Sequence, residues 1–361
     1  MKIGIITFHR AHNYGAVLQC MALSKVLAEY GHKVEVVDYY PSYLRSEYKL
    51  LPSIQRVGFV IWIKSLIKTI PILRIRLKRM KLFNSFIKTL PLSTKQYTEK
   101  DKIITGYDVL IFGSDQIWNP LLSQGEDAIL SGFFRIKGTK FVSYAASTNP
   151  VICNAKYRDY FKRIIDSFDA ISVRELVLAD YLNSIKPNVA KTVLDPVLLL
   201  SKYEWEKIAI NPKEKDYLLI YTVPQSPLVR KHAEFVARQK GLQIIELTPK
   251  ARNVKENIYR QIVSPNEFVG YFKNASYVVT TSFHGTAFSI RFNKQFSTIQ
   301  LGSSVDNRAY NLLNSLDLQN RAITETDIYK NLEITDYEAV NSKLEEFIRT
   351  SLSYLKNSCV R

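Results

Sequence analysis

Cysteine is scarce in this sequence, and the cysteines that occur are not arranged in pairs. Three are found in 361 residues, with no CxxC spacing: Cys20, Cys153 and Cys359. Disulfides persist in oxidising compartments, and structural zinc is commonly held by closely spaced cysteines. The scarcity therefore favours a reducing compartment and argues against a structural zinc site. His9 and His12 have no acidic or sulfur residue nearby in sequence, so we expect no metal site.

Long hydrophobic runs are also missing. The first eight residues contain one lysine and a short apolar run, which predicts a first β-strand and not a secretory signal. The apolar stretch at 57–73 is shorter than the ~20 residues of a membrane span and contains two lysines and a proline. We therefore expect a cytoplasmic protein. Hydrophobic residues at 46% and aromatic residues at 12% nevertheless exclude a disordered chain.

The glycine-rich fingerprints of nucleotide binding are absent as well. The chain begins with a strand at 2–8, a helix at about 16–30 and a second strand that ends at Asp38. An acidic residue there is typical of dinucleotide sites, but the loop after the first strand has one glycine where the fingerprint needs three. No GxxxxGK[ST] sequence occurs. These absences exclude NAD binding and a P-loop.

Positive charge is abundant, with a formal net charge of +17. It is concentrated at about 50–90, where large apolar residues are interspersed with nine basic residues and no acidic one: Arg56, Lys64, Lys68, Arg74, Arg76, Lys78, Arg79, Lys81 and Lys88. A basic amphipathic segment that contains a tryptophan favours an interfacial helix on an anionic membrane surface. The alternative is a solvated helix whose apolar face packs on its own domain. Nucleic acid is not an expected partner, because no recognised binding motif accompanies the charge.

Strand and helix patterns alternate in both halves of the chain, without internal repeats or low-complexity runs. This alternation predicts an α/β fold with two Rossmann-like domains that face one another across a cleft. We place the N-terminal domain at 1–206, with the basic segment at about 50–90 as an insertion, and the C-terminal domain at 216–330. An amphipathic helix at 334–357 is expected to pack back on the body. The oligomeric state is left open, a homo-oligomer included.

The most informative stretch is 278–291, where two valines and two threonines predict a short buried strand that turns into a helix through Ser282, Phe283, His284 and Gly285. Gly285 permits close approach of a ligand, and the start of the helix favours a phosphate or carboxylate. His284 would stand at the carboxyl end of the strand, where open α/β sheets place their chemistry, and could exchange a proton near neutral pH. A histidine that only caps or packs within the turn is the alternative.

Other predicted strands end in polar residues too. A strand at 107–112 leads to Asp115, Gln116, Trp118 and Asn119, which suit a polar pocket floor with an aromatic wall for a sugar or carboxylate. Asp115 could instead be only a helix N-cap. Arg174 follows a strand at 170–173, and its guanidinium fork matches a phosphate or carboxylate. Its alternative is an ion pair with Glu175 or another nearby acid.

Five separated stretches together resemble the polysaccharide pyruvyltransferase family, in the family's order and over about residues 1–320. They are 13–19 (NYGAVLQ), 113–119 (GSDQIWN), 172–175 (SVRE), 195–197 (DPV) and 282–286 (SFHGT). The resemblance implies a fold like that of the GT-B glycosyltransferases. It also implies transfer of the enolpyruvyl unit of phosphoenolpyruvate onto two hydroxyls of a sugar, as a cyclic ketal. The implied destination is a bacterial cell-surface polysaccharide assembled on a lipid carrier at the inner membrane face, with the 4,6-diol of galactose as one candidate acceptor.

The resemblance also implies roles for individual residues. Arg174 and His284 correspond to family residues that bind or act on phosphoenolpyruvate. We expect His284 to be the acid/base and Asp115 to orient or deprotonate the acceptor. The donor site would add Ser282, Gly285, Thr286 and Arg308, with Arg291 as the other candidate for the second cation. The acceptor side would comprise Asn13, Tyr14, Gln116, Trp118 and Asn119.

Phosphoenolpyruvate would be the donor substrate, and no cofactor is expected. Two other functions remain open from the residues. A nucleotide-sugar glycosyltransferase of the same pathway would use the same architecture and would bind a nucleoside diphosphate in its C-terminal domain. A non-catalytic membrane-surface protein would account for the charge, but it would leave the polar strand ends without a purpose.

Overall fold

A computed structural model describes residues 1–50, 59–254, 256–302, 306–330 and 333–359 of the chain. The strands in these ranges are β1 Lys2–Ile6, β2 Lys33–Tyr39, β3 Leu92–Tyr97, β4 Val109–Phe112, β5 Lys140–Ser143, β6 Ile171–Val173, β7 Ala190–Thr192, β8 Tyr217–Tyr221, β9 Gln243–Leu247, β10 Tyr259–Arg260, β11 Tyr277–Thr280, β12 Phe296–Ile299 and β13 Ala322–Ile323. The α-helices are α1 Tyr14–Glu29, α2 Ser42–Glu47, α3 Phe59–Thr69, α4 Leu73–Ile87, α5 Arg158–Ser167, α6 Leu176–Ile185, α7 Pro196–Leu199, α8 Lys202–Ile208, α9 Pro227–Lys240, α10 Pro265–Asn274, α11 Phe283–Arg291, α12 Asp306–Ser315 and α13 Tyr337–Cys359.

The N-terminal sheet consists of parallel strands in the order β3-β2-β1-β4-β5. Ile5 of β1 lies opposite Val36 of β2 and Ile111 of β4. β4 is apolar and buried along its whole length, as expected of a parallel strand that is covered on both faces. The pair β6-β7 continues the sheet beyond β5 through a bridge between Val142 and Ala170. The carboxyl ends of β1 and β4 therefore lie side by side, and their following loops share one edge of the sheet.

The C-terminal sheet is also parallel, in the order β10-β9-β8-β11-β12-β13. In order of appearance within the domain this is 3-2-1-4-5-6, the order of a Rossmann fold. Val279 of β11 lies opposite Ile220 of β8 and Ser297 of β12. β11 is thus at the centre of its sheet, and its carboxyl end leads directly into α11.

The two domains share one continuous hydrophobic core. The ring of Tyr14 in α1 stacks on Phe268 of α10 with the ring centroids 4.4 Å apart. Trp205 of α8 packs edge-on against Phe288 of α11 with a centroid distance of 4.9 Å. The predicted boundary at 206 therefore falls inside a helix of which one side belongs to the core of the C-terminal half.

The last helix, α13, packs on the N-terminal domain. The Leu194 amide donates a hydrogen bond to Ser351 Oγ at 3.0 Å, and the Tyr354 hydroxyl donates to the Ser143 carbonyl at 3.0 Å. Val340, Leu344 and Ile348 have exposures below a tenth and belong to the shared core. The chain thus crosses back to its first half after the C-terminal sheet is complete.

The basic segment forms α3 and α4, joined by the 3-10 helix Ile70–Ile72, while its first part at 51–58, with Arg56, lies outside the described residues. α4 packs on the N-terminal domain through Phe83. Arg79 is also buried, because its guanidinium donates to the carbonyls of Gln261 at 2.6 Å and Pro249 at 2.8 Å. The C-terminal part of the segment therefore packs on the protein itself, as the alternative prediction proposed.

The fold class predicted from the sequence is confirmed. The protein is α/β, and its two Rossmann-like domains face one another across a cleft in a GT-B-like arrangement. Among the residues that the structure describes, no helix is both long enough and apolar enough to cross a membrane.

Candidate active site

Two helices begin at the cleft between the domains, one from each sheet. α1 follows β1, and the side chain of its N-cap Asn13 accepts a hydrogen bond from the Ala16 amide at 3.3 Å. α11 follows β11, and its N-cap Ser282 accepts from the Gly285 amide at 3.4 Å. Asn13 and Ser282 both line a cavity of about 370 Å³. Because the first N–H groups of a helix have no acceptor within it and carry the positive end of its dipole, this cavity suits an anion.

His284 lies between these two helix starts. It is in the first turn of α11, and its ring touches the backbone of Gly15 in the first turn of α1. A Cβ atom at Gly15 would lie 2.1 Å from His284 Nδ1, a separation at which one of the two groups must move. The glycine in the Asn-Tyr-Gly motif therefore makes room for the imidazole. The two domains meet at this contact.

The opposite ring nitrogen of His284 faces a buried carboxylate. Nε2 lies 3.7 Å from Oδ2 of Asp195. The same oxygen accepts hydrogen bonds from Arg174 Nη1 at 2.8 Å and from Ser114 Oγ at 3.0 Å, while Oδ1 accepts from the Val197 amide at 3.0 Å. Burial alone would raise the pKa of Asp195, but His284, Arg174 and the Val197 amide together hold it below its usual range. Asp195 is therefore a buried, ionised group beside the histidine.

Arg174 is the centre of this buried network. Its Nε donates to Glu175 at 2.8 Å, and its Nη2 donates to Ser147 Oγ at 3.0 Å, in addition to the bond to Asp195. Its guanidinium also lies over the Phe283 ring, 4.3 Å from the centroid. Burial opposes its charge, but the two carboxylates raise its pKa above the ordinary value. The ion pair with Glu175 that the sequence left as an alternative is present, and each terminal nitrogen of Arg174 already has a partner within the protein.

Asp115 and Gln116 line the same cavity as His284. Asp115 has a φ of 74°, in the left-handed region, and its Oδ1 accepts from the amide of Gln116 at 2.9 Å. A non-glycine residue in that conformation costs about 1–3 kcal/mol and is typical of functional sites. The strand-end turn therefore presents Asp115 and Gln116 at the cleft, where the sequence predicted a polar floor.

Three residues predicted on the acceptor side are core residues instead. Tyr14 is buried, stacks on Phe268 and donates from its hydroxyl to the Val263 carbonyl at 2.9 Å. Trp118 is buried, with its ring 5.5 Å from that of Phe168. Asn119 is buried too, and its Oδ1 accepts from the amide of Leu121 at 3.1 Å. Their positions correct the prediction: they support the cleft from behind and are not exposed to a ligand in it.

Two residues predicted to bind the donor are committed to the local fold. The Gly285 amide donates to Ser282, and a Cβ at Gly285 would lie 2.2 Å from Thr280 Oγ1, so this glycine allows the helix to lie close to the strand. Thr286 is buried, and its hydroxyl donates to the Ser282 carbonyl at 3.1 Å and contacts Thr298 at 2.9 Å. The structure places both residues, predicted to bind the donor, in contacts that support the turn, while Ser282 lines the cleft.

Arg308, at the start of α12, lines the cleft and a second cavity of about 300 Å³ behind it. Phe283 also borders both, so these two side chains separate the cavities. The second cavity is mostly apolar and includes Leu194, Leu312 and Phe347 in its wall. Arg308 therefore brings a positive charge to the cleft, whereas Arg291 lies 3.9 Å from Glu345 of α13. Residues 303–305 of the loop before Arg308 lie outside the described residues.

Sequence reasoning missed the roles of Gly15, Ser114 and Asp195, although all three belong to motifs that it singled out. An Asp-Pro pair indicates a helix N-cap, and Asp195 does cap α7. The local sequence therefore explained this aspartate fully and did not indicate that it also faces His284. Tyr48 and Lys250 also line the cleft. They come from loops far apart in the chain and could only be found from the fold.

Structural comparison gives distant similarities over nearly the whole chain. UDP-GlcNAc 2-epimerase from Methanocaldococcus jannaschii is 12% identical with a TM-score of 0.44, over 96% of this chain and 92% of that one. S. aureus MnaA in its co-structure with UDP is 10% identical with a TM-score of 0.46, over 91% and 86%. The glycotransferase of kitacinnamycin is 9% identical with a TM-score of 0.46, over 99% and 97%. A search of curated protein sequences gave no significant match.

A protein-family comparison gives a match to polysaccharide pyruvyl transferases over residues 13–301. The matched range begins at the N-cap Asn13 and includes Asp115 and His284, which line the cleft, as well as the buried Arg174 and Asp195. It covers most of the chain and confirms the resemblance seen in the sequence. The chain belongs to the polysaccharide pyruvyl transferase family.

Proposed function

We propose that this protein transfers the enolpyruvyl unit of phosphoenolpyruvate onto two hydroxyls of a hexose, in capsular or exopolysaccharide biosynthesis. The acceptor is a lipid-linked oligosaccharide, with the 4,6-diol of galactose as the first candidate, and the product is a cyclic pyruvate ketal. Family membership supports pyruvyl transfer. The single observation that carries the choice of donor is the position of His284 between two helix N-termini on one cleft.

The donor has two anionic groups, a phosphate and a carboxylate, on adjacent positions of a small molecule. Two helix N-termini that open on the same cavity supply N–H groups and positive potential for both of them. Arg308 and Lys250, which line the cavity, add two positive side chains. Glu47 and Asp115 line the cavity as well, so the two helix N-termini are the main support for an anionic donor. No additional cofactor enters the proposal.

The reaction needs an acid and a base. A proton adds to C3 of the donor, and the first sugar hydroxyl attacks C2 and loses its own proton, which gives an adduct that carries phosphate. Phosphate then leaves, and the second hydroxyl attacks the same carbon with loss of its proton, which closes the ketal. His284 is the proposed acid/base, and Asp115 orients or deprotonates the acceptor from the opposite side of the cleft.

A surface near the cleft supports a membrane-bound acceptor. Ile67 and Ile70 at the junction of α3 and α4 are 63% and 61% exposed, and Leu77 is 47% exposed. Lys64 and Lys78 are exposed in the same segment. Apolar side chains interspersed with cations suit the headgroup region of an anionic bilayer. We propose that this surface docks the protein at the cytoplasmic face of the bacterial inner membrane.

The test is a transfer assay with phosphoenolpyruvate and galactose-containing lipid-linked oligosaccharides, in which released phosphate and pyruvylated product are both measured. Equal amounts of the two are expected from the wild type, and His284→Gln should give neither above background. Thermal shifts run beside it should show stabilisation by phosphoenolpyruvate, because a ligand that binds only the folded state raises its apparent stability. Stabilisation by uridine diphosphate alone, with no transfer, would favour a nucleotide-sugar glycosyltransferase and contradict the proposal.

A further inference from the structure

We propose that Asp195 is a positioning residue for His284: it holds the Nε2 proton of the imidazole, so that Nδ1 is the nitrogen that exchanges a proton with the substrate. The inference rests on the proposed function for its catalytic part. Its structural part, the position of the proton on the ring, stands apart from any reaction.

The two ring nitrogens of His284 have opposite surroundings. Nε2 is buried and makes no hydrogen bond to the described residues, and the acidic group that it faces is the Asp195 carboxylate at 3.7 Å, just beyond hydrogen-bond distance. A buried carboxylate favours an N–H directed at it. Nδ1 lies against Gly15 in the first turn of α1, where the positive end of the helix dipole disfavours a proton. Both effects place the proton of the neutral ring on Nε2 and leave a lone pair on Nδ1.

The positions of the two ring nitrogens relative to the cleft also favour a proton on Nε2. His284 lines the cavity, yet Nε2 itself is shielded from it. Nδ1 is the nitrogen on the side of α1, whose N-terminus opens on the cavity. A substrate in the cleft therefore meets Nδ1, while Asp195 remains behind the ring.

The network around Asp195 keeps this carboxylate ionised and fixed. Arg174 and Ser114 both donate to Oδ2, and the Val197 amide donates to Oδ1, so the side chain has little freedom to rotate. Arg174 also binds Glu175. One guanidinium is thus shared by two carboxylates, and Asp195 is the one that faces His284. In this arrangement Arg174 acts through Asp195.

The other charged groups that line the cleft with His284 are Asp115, Glu47, Lys250 and Arg308. Two of them are acidic and two are basic, and Arg308 also borders the second cavity together with Arg174 and Asp195. The buried carboxylate behind the ring is therefore the feature that distinguishes Nε2 from Nδ1. A variant of Asp195 should change the preferred tautomer of His284, and a variant of the other carboxylate on Arg174, Glu175, should not.

The first experiment is ¹⁵N NMR of the imidazoles in the ligand-free full-length protein at neutral pH. Five histidines are present, and His284→Gln identifies the signals of His284. The wild type should show the Nε2–H tautomer, and Asp195→Asn should shift the population toward Nδ1–H. A wild-type ring with its proton on Nδ1 would overturn the inference, whatever the enzyme's activity.

The second experiment compares Asp195→Asn with Glu175→Gln, since both are isosteric changes at buried carboxylates that contact Arg174. In the transfer assay, Asp195→Asn should lower kcat by a factor on the order of 10²–10⁴ with a nearly unchanged KM for phosphoenolpyruvate, and should displace the pH–rate profile. Glu175→Gln should leave the position of that profile unchanged. Equal losses of kcat in both variants, with identical pH–rate profiles, would show that Asp195 has only a structural role and would overturn the inference. A wild type that shows the Nε2–H tautomer but no transfer would reject the proposed function and leave the tautomer assignment in place.

Discussion

Replacing Gly15 by alanine tests whether the contact between the two helix starts sets the position of His284, the proposed acid/base. The added Cβ would lie 2.1 Å from Nδ1, 2.4 Å from Cγ and 2.5 Å from Cε1 of His284. Carbon atoms in contact are normally about 3.5–4.0 Å apart, so the ring must retreat by roughly 1–1.5 Å. Because a displacement of about 1 Å can reduce catalysis by about 10²-fold, we expect kcat to fall by at least that factor.

Stability should respond differently from activity. Gly15 has an ordinary helical conformation within α1, where an alanine is favoured over a glycine by about 0.5–1 kcal/mol. Overpacking costs about 1–3 kcal/mol, but the neighbour is a side chain at the cleft that can rotate. The midpoint of thermal unfolding should therefore change by only a few degrees. Steady-state kinetics and differential scanning fluorimetry on the same preparation measure the two effects.

Gly270→Ala is the matched control. It also adds a methyl group to a helical glycine at a crowded contact, but the Cβ there would lie 1.9 Å from the carbonyl oxygen of Ile210, a main-chain atom with little freedom to move. This variant should lose stability and keep its turnover per folded molecule. A Gly15→Ala enzyme with wild-type kcat would refute the idea that this contact positions His284.

Three further predictions concern charge and surface. Arg174→Met should destabilise the protein at pH 7 by about 3–5 kcal/mol, because it leaves buried carboxylates without their cation. In the wild type, Asp195 contributes stability above its unfolded pKa that is lost only as pH falls through its depressed folded pKa. Loss of Arg174 removes one of the groups that depress this pKa against burial, so the pKa should rise and the deficit in urea-unfolding free energy should shrink on acidification from pH 7 to 5. Arg79→Met should lower stability by about 2–4 kcal/mol, since the carbonyls that Arg79 joins across the domains lose their donor, and unchanged urea midpoints would contradict this. Ile67→Glu should weaken sedimentation with anionic vesicles several-fold, whereas the same change at Ile103, which is also more than half exposed, should not; equal effects would argue against the proposed membrane surface.

Much of the fold could be predicted because it follows from local pattern. The short apolar runs predicted as strands correspond to β4 and β11, and each is buried along its length. The polar residues that follow them lie at the carboxyl ends of parallel strands, where open α/β sheets place their functional residues. The bounds of α1 were less accurate, because the predicted start at 16 missed the first turn at Tyr14. That turn is stabilised by the cap of Asn13, which was interpreted as a ligand contact.

The candidate site could be predicted only in part, because sequence proximity does not show which direction a side chain faces. His284, Asp115 and Gln116 line the cleft as expected. Trp118 is two residues from Gln116 but points into the core, where its ring packs on Phe168. The contact of Gly15 with His284 joins residues far apart in the chain and depends on how the domains dock.

The hydrophobic core that spans both domains has a consequence for how substrates reach the cleft. Stacking of Tyr14 on Phe268 and the bonds of Arg79 to carbonyls of the opposite half would all have to break for the halves to swing apart. Wide hinge opening is therefore energetically unfavourable, and the cleft should have nearly the same width before and after binding. Donor and acceptor would diffuse into a preformed slot from its open side. Neither half should fold alone, and calorimetry should record a single cooperative transition for the whole chain.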